Sequence, residues 1–162
     1  MTNNNNEFEV ITGVGLNSNR SVVLQNYGQA VGSLDELVSS PVDLSGNVGS
    51  LTMSFRYAYR KRQSANSEVL RIYVSKDCGE TWAQQKAIGG SSLSSVVVGS
   101  SWVPQQATDW KTVHITNISP SFWVSNFRYK FKFESNDGNN LYLDNINIYN
   151  GSPSDEPILG IA

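Results

Sequence analysis

Leu51-Thr-Met-Ser-Phe-Arg-Tyr-Ala-Tyr59 puts Leu51, Met53, Phe55, Tyr57 and Tyr59 on one face and Thr52, Ser54 and Arg56 on the other. Successive side chains of a strand point to opposite sides, so this alternation predicts a β-strand with one face in a core. Two other stretches repeat the pattern. Leu70, Ile72 and Val74 alternate with Arg71, Tyr73 and Ser75, and Phe127, Tyr129, Phe131 and Phe133 alternate with Arg128, Lys130, Lys132 and Glu134. Half-buried strands of this kind belong to antiparallel sheets that face water on one side. Shorter candidates are Phe8–Ile11, Ser21–Gln25, Leu37–Leu44, Trp82–Ile88, Lys111–Ile118 and Tyr142–Tyr149. No window of helical length carries an apolar stripe of period 3.6, and Ser33–Leu37 predicts one helical turn at most. About eight to ten strands with turn-rich connections predict an all-β fold, an antiparallel β-sandwich of jelly-roll type, concanavalin-like or galactose-binding-like.

Ser75-Lys-Asp-Cys-Gly-Glu80 is the best hairpin signal, with Gly79 available for positive φ. Gly89 to Ser101 reads as a Gly/Ser-rich surface loop. After Tyr149 the run Asn-Gly-Ser-Pro-Ser-Asp-Glu-Pro has linker composition, which predicts a domain over 1–150 and a linker over 151–162 toward a missing segment. Met1–Asn6 is polar and reads as the start of a piece cut from a longer precursor.

The 162 residues are 39% hydrophobic and only 16% charged, enough for one domain with a real core and a polar, weakly charged surface. A net charge of −2 gives no general attraction to nucleic acid, and no apolar run approaches a membrane span. One cysteine, Cys78, excludes an internal disulfide and a thiolate cluster. One histidine, His114, excludes a His-rich zinc site, and strand parity turns it outward with Thr112 and Thr116.

Among candidate site residues Asp144 comes first. Read with strict period two it shares a face with Ile146 and Ile148, so its carboxylate needs either a cation such as calcium or backbone N–H donors in the turn. Asp137, in Ser-Asn-Asp-Gly, suits a turn whose side chain bonds its own backbone, or a metal ligand. Trp102, Trp123, Tyr27 and Tyr59 are possible sugar-stacking platforms, or else core and loop anchors. Arg56, Arg60, Lys61 and Arg62, with Arg128, Lys130 and Lys132, form either a solvated face or a stripe for acidic glycans.

Three segments in order resemble MAM-like jelly-roll domains. Asp35-Glu-Leu-Val-Ser-Ser-Pro-Val-Asp-Leu-Ser45 with Leu51–Tyr59 is similar to their D-x-L-x-SP-x-x-DLS … L-x-F-x-YAY beginning. Leu70-Arg-Ile-Tyr-Val-Ser-Lys-Asp-Cys-Gly-Glu-Thr-Trp82 resembles their L-x-V-x-x-S-x-DCG-x-TW hairpin. Gly138-Asn-Asn-Leu-Tyr-Leu-Asp-Asn-Ile-Asn-Ile148 is similar to their closing GNNLYLDNI-I strand. Cleaved-adhesin domains of gingipain-type proteases are relatives of such modules, which accompany secreted metalloproteases and other exported multidomain proteins of the Bacteroidetes. The resemblance spans roughly Glu7 to Asn150, with Ser40 an extra residue in the first motif. It implies a structural calcium ion held by Asp144 together with Glu9 or Glu7, with Asp35 as a further candidate; Asp137 is a candidate ligand from its own turn.

The resemblance therefore implies a non-catalytic, calcium-stabilised accessory or adhesion-type module of an exported protein, a secreted protease, located outside the cell or on its surface. Its partners would be other domains of its own precursor or an extracellular protein or glycan. The alternative is a carbohydrate-binding module using exposed aromatics. An enzyme fits least, because no paired acids and no Tyr/His/Arg set stand out for a groove.

Overall fold

A computed structural model describes residues 7–154. Two antiparallel sheets pack face to face. In chain order the strands are β1 (Phe8–Thr12), β2 (Arg20–Leu24), β3 (Leu34–Val38), β4 (Leu51–Tyr59), β5 (Val69–Ser75), β6 (Ala83–Gly89), β7 (Lys111–Ile115), β8 (Arg128–Glu134) and β9 (Leu141–Asn150). One sheet runs β1-β2-β9-β4-β7 and the other β3-β8-β5-β6. This is the expected β-sandwich of jelly-roll type. Among the described residues helix is confined to one turn at Gly90–Leu93 and single 3₁₀ turns at Ala107–Asp109 and Pro120–Phe122.

The core follows the alternation that decides the fold. Leu51, Met53, Phe55, Tyr57 and Tyr59 of β4 all point inward and are buried, meeting Leu70, Ile72 and Val74 of β5 and Phe131 and Phe133 of β8. Phe55 lies edge-on to Phe131 at 4.9 Å, and Tyr59 edge-on to Phe133 at 5.8 Å, geometries that suit the ring quadrupoles.

Three expectations change. Ser33–Leu37 is not a helical turn: Leu34–Val38 is the edge strand β3, paired with Val38 opposite Lys130 and Leu34 opposite Glu134. Its inward residues are too few for a helical stripe, and the ladder to β8 supplies the hydrogen bonds a one-turn helix lacks. The Gly/Ser-rich stretch holds a helical turn whose Leu93 is buried.

The third concerns Asp144. The β4–β9 ladder shifts register between Ser54 and Arg56, because Asn145 adopts φ 49° and adds a residue to β9. Leu141 and Leu143 face the core before this bulge, and Ile146 and Ile148 after it. One extra residue exchanges the two faces of a strand. Asp144 therefore shares the outer face with Tyr142, not the inner face with Ile146 and Ile148.

The expected linker is described only to Ser154. The reading of Met1–Asn6, and most of that of 151–162, lies outside the described residues.

Candidate functional site

β4 is the central strand between β9 and β7, and its outward side chains meet theirs in a grid. Ser54 stands opposite His114 on one side and Asn147 on the other, and Arg56 opposite Thr112 and Asp144. Tyr149 follows opposite Thr52. Together they line a groove of about 250 Å³ on the outer face of the five-stranded sheet.

Ser54 is the hub of its polar floor. Its Oγ lies 2.6 Å from His114 Nδ1 and 2.9 Å from Tyr149 OH, which fixes both rings. The Tyr149 hydroxyl also accepts the Ser154 N–H at 3.2 Å. Asp144 occupies the wall toward the bulge. One carboxylate oxygen accepts the Leu16 N–H at 2.8 Å and the other the Asn145 N–H at 2.7 Å, so it anchors the β1–β2 loop and the bulge together. Arg56 makes no ion pair among the described residues and lines the groove.

The other end of the same face is closed. Val23, Ala58 and Tyr142 lie under Ile11, Val14, Trp102 and Trp110. Trp102 packs edge-on to Tyr142 at 6.1 Å with the Arg60 guanidinium 4.8 Å from its ring. Arg60 in turn holds Asp109 at 2.9 Å, and Asp109 accepts the N–H groups of Gln105 and Gln106. This segment seals one half of the sheet and leaves the groove in the other.

The residues expected to bind calcium do not come together. Asp144 has its two backbone donors. Glu9 sits outward on β1, exposed and opposite Val23, and Glu7 precedes that strand, also exposed. Asp35 lies on β3 in the other sheet, opposite Phe133, where burial raises its carboxyl above the usual range. Asp137, at φ 60°, is a turn residue ion-paired to Arg62 at 2.6 Å. Among the described residues no three His, Cys, Asp or Glu side chains form a metal-holding group.

Nor are the four aromatics one platform. Tyr59 is a correction: it is 2% exposed and packs in the core. Trp102 is the half-buried lid just described. Trp123 packs on the core and donates its indole N–H to the Ile118 carbonyl at 3.2 Å. Tyr27 is half-buried, under Arg62 at 4.7 Å, and its hydroxyl donates to Gly99. The basic residues on β8 and β5 are engaged within their own sheet: Lys130 lies over Tyr73 and Trp82 and pairs with Glu36 at 3.0 Å, and Arg71 pairs with Glu134 at 2.7 Å.

Sequence reasoning missed the groove residues Ser54, Asn147 and Tyr149, and named Arg56 only as part of a basic stripe. The outward parity of β4 carried Ser54 and Arg56, but pairing β4 with both β7 and β9 has no signal in the sequence.

No family model matches the chain, and no curated protein matches it. In three dimensions it is similar to the K1 cleaved adhesin domain of Lys-gingipain from Porphyromonas gingivalis W83, with 14% identity, 93% of this chain and 87% of that one covered, and a TM-score of 0.62. It is also similar to TmCBM61 in complex with β-1,4-galactotriose, with 13% identity, 89% and 82% covered, and a TM-score of 0.54. A third is the family 30 carbohydrate-binding module of a cellulosomal cellulase of Clostridium thermocellum, with 16% identity, 91% and 84% covered, and a TM-score of 0.54. At these identities the likeness establishes a shared fold.

Proposed function

We propose that this domain is a non-catalytic binding module, working outside the cell or on its surface as part of an exported multidomain protein, and that the groove on β9, β4 and β7 takes a short stretch of glycan. The observation that carries this reading is the polar grid of Ser54, Arg56, His114, Asn147 and Tyr149. Planar and hydroxyl-bearing groups fixed on rigid strands suit hydroxyl-rich ligands, and Tyr149 adds an aromatic ring. Solved neighbours that are an adhesin domain and carbohydrate-binding modules support it at the level of fold.

The Ser54–His114 contact does not make this groove a hydrolase site. Ser54 lies in mid-strand with ladders on both sides, so neighbouring amides are committed to β7 and β9 rather than aimed at an oxyanion. Its hydroxyl is also held by Tyr149.

Affinity electrophoresis through gels containing soluble polysaccharides tests the reading. Retardation is expected with at least one glycan. Tyr149→Ala and Arg56→Ala should each weaken it about tenfold or more, the equivalent of about 1.4 kcal/mol, with the far-UV circular dichroism spectrum of the parent retained. Retention by other domains of the precursor, with no glycan retarding the protein, would favour the adhesion-type reading instead.

A further inference from the structure

The inner faces of the strands are apolar until one end of the sandwich, where five of them turn polar in the same layer. Val22 and Leu24 lead to Asn26, Phe55 and Tyr57 to Tyr59, and Phe131 and Phe133 to Ser135. Leu70 is preceded by Glu68, and Leu141 by Asn139. All five are buried, Glu68 being 1% exposed and Asn26 and Asn139 fully enclosed.

Ladder register, carried past the strand ends, sets four of them in two facing pairs. One step beyond the Val69–Glu134 pair, Glu68 stands across from Ser135, and two steps beyond Leu24–Leu141, Asn26 stands across from Asn139. Asn26 donates its amide to the Asn139 carbonyl at 3.0 Å. The Gly138 backbone presses against the rest: a Cβ there would collide with both Glu68 Oε1 and Tyr59 OH. Glu68 and the Tyr59 hydroxyl therefore share one small space.

That space is short of partners. Glu68 Oε1 accepts the Asn136 N–H at 3.2 Å, but Oε2 has no partner. Ser135 Oγ and Asn26 Oδ1 have no partner either among the described residues, and the Tyr59 hydroxyl has only the Glu68 carboxylate and the Asn139 backbone beside it. A buried carboxylate without a cation or a full set of donors is strongly disfavoured. Four enclosed oxygens, one of them charged, are a donor set for a hard cation.

We propose that this polar end of the sandwich interior is a cation site, in which the Glu68 carboxylate and the oxygens of Tyr59, Ser135 and Asn26 hold one hard ion. It is separate from the groove and from Asp144. The ion would join β2 and β4 of one sheet to β5 and β8 of the other where the apolar core stops.

The test is thermal unfolding of the chelator-treated protein in choline chloride, then with calcium, magnesium or sodium chloride added. At a hundredfold excess over Kd the right ion should raise the midpoint by about 5–10 °C. Glu68→Gln should abolish the rise, and Asp144→Asn should keep it. Equilibrium dialysis with the same ion should give one bound equivalent for the parent. Should Glu68→Gln fail to fold, Tyr59→Phe and Ser135→Ala each remove one oxygen and should weaken the dialysis Kd about tenfold. An unchanged midpoint in every salt overturns the proposal, as does a rise that survives in Glu68→Gln or one that disappears in Asp144→Asn. If neither Tyr59→Phe nor Ser135→Ala changes the dialysis Kd, the donor set is wrong.

Discussion

Asn145 decides more than any other single residue. Its left-handed backbone creates the bulge that moves Asp144 outward while keeping Ile146 and Ile148 in the core. Asparagine visits that region at low cost, and a β-branched residue does not. Asn145→Gly should melt like the parent, whereas Asn145→Val should lose about 1–2 kcal/mol by chemical denaturation. Asp77 shows a second local device, at the β5–β6 turn. Its carboxylate accepts from the hydroxyls of Ser75 and Thr81 and from the Thr81 N–H, and these bonds lower its pKa to about 2. A depressed carboxyl stabilises the fold above its unfolded value and loses that contribution as pH falls through the folded one. The Asp77 contribution should therefore be complete above about pH 4 and disappear toward pH 2. A carboxyl carbon shift titrating near 2 in an NMR series checks it, and a midpoint close to 4 would refute the turn bonding.

Among the elements, β4 carries the greatest share of the architecture, because it gives one face to the core and the other to the groove. Phe55 touches Phe131 across the sheets, so Phe131→Ala should cost about 3–5 kcal/mol in equilibrium unfolding. The segment covering the closed end depends on a mostly buried ion pair rather than on regular structure. Asp109→Ala would strand Arg60 over Trp102 and release two backbone N–H groups, so a loss of about 3–5 kcal/mol is expected. If that variant unfolds at the parent's denaturant midpoint, the pair does not fasten the segment.

At the scale of the whole molecule, among the described residues only the β1–β2 and β5–β6 pairs join strands that are neighbours in the chain. The other ladders close long loops before any contact offsets their entropy, so refolding should take milliseconds to seconds. Stopped-flow tryptophan fluorescence measures it, and a microsecond phase with full amplitude would contradict this topology. The same topology assembles both candidate sites. The groove needs β7, β4 and β9 side by side, and the polar interior end needs residues as far apart as Asn26 and Asn139.

The sequence by itself determined the class of fold and most of its core. Period-two alternation over Leu51–Tyr59, Leu70–Ser75 and Phe127–Glu134 states which face is buried, because a strand presents its residues to opposite sides whatever its neighbours are. It also showed the hairpin at Asp77 and Gly79 and the outward direction of His114, which are local matters of turn chemistry and parity. The placement of Asp144 was illegible, since a bulge reverses parity without changing any apolar residue. Tyr59 also read as a possible sugar platform, although the parity of Leu51–Tyr59 already put it on the core face, where Phe133 meets it. Only the tertiary structure brought Ser54 to His114 and Tyr149, and Glu68 to Tyr59 and Ser135. Such juxtapositions depend on which strands pair and in what register, and that is set by the packing of two sheets rather than by any stretch of chain alone.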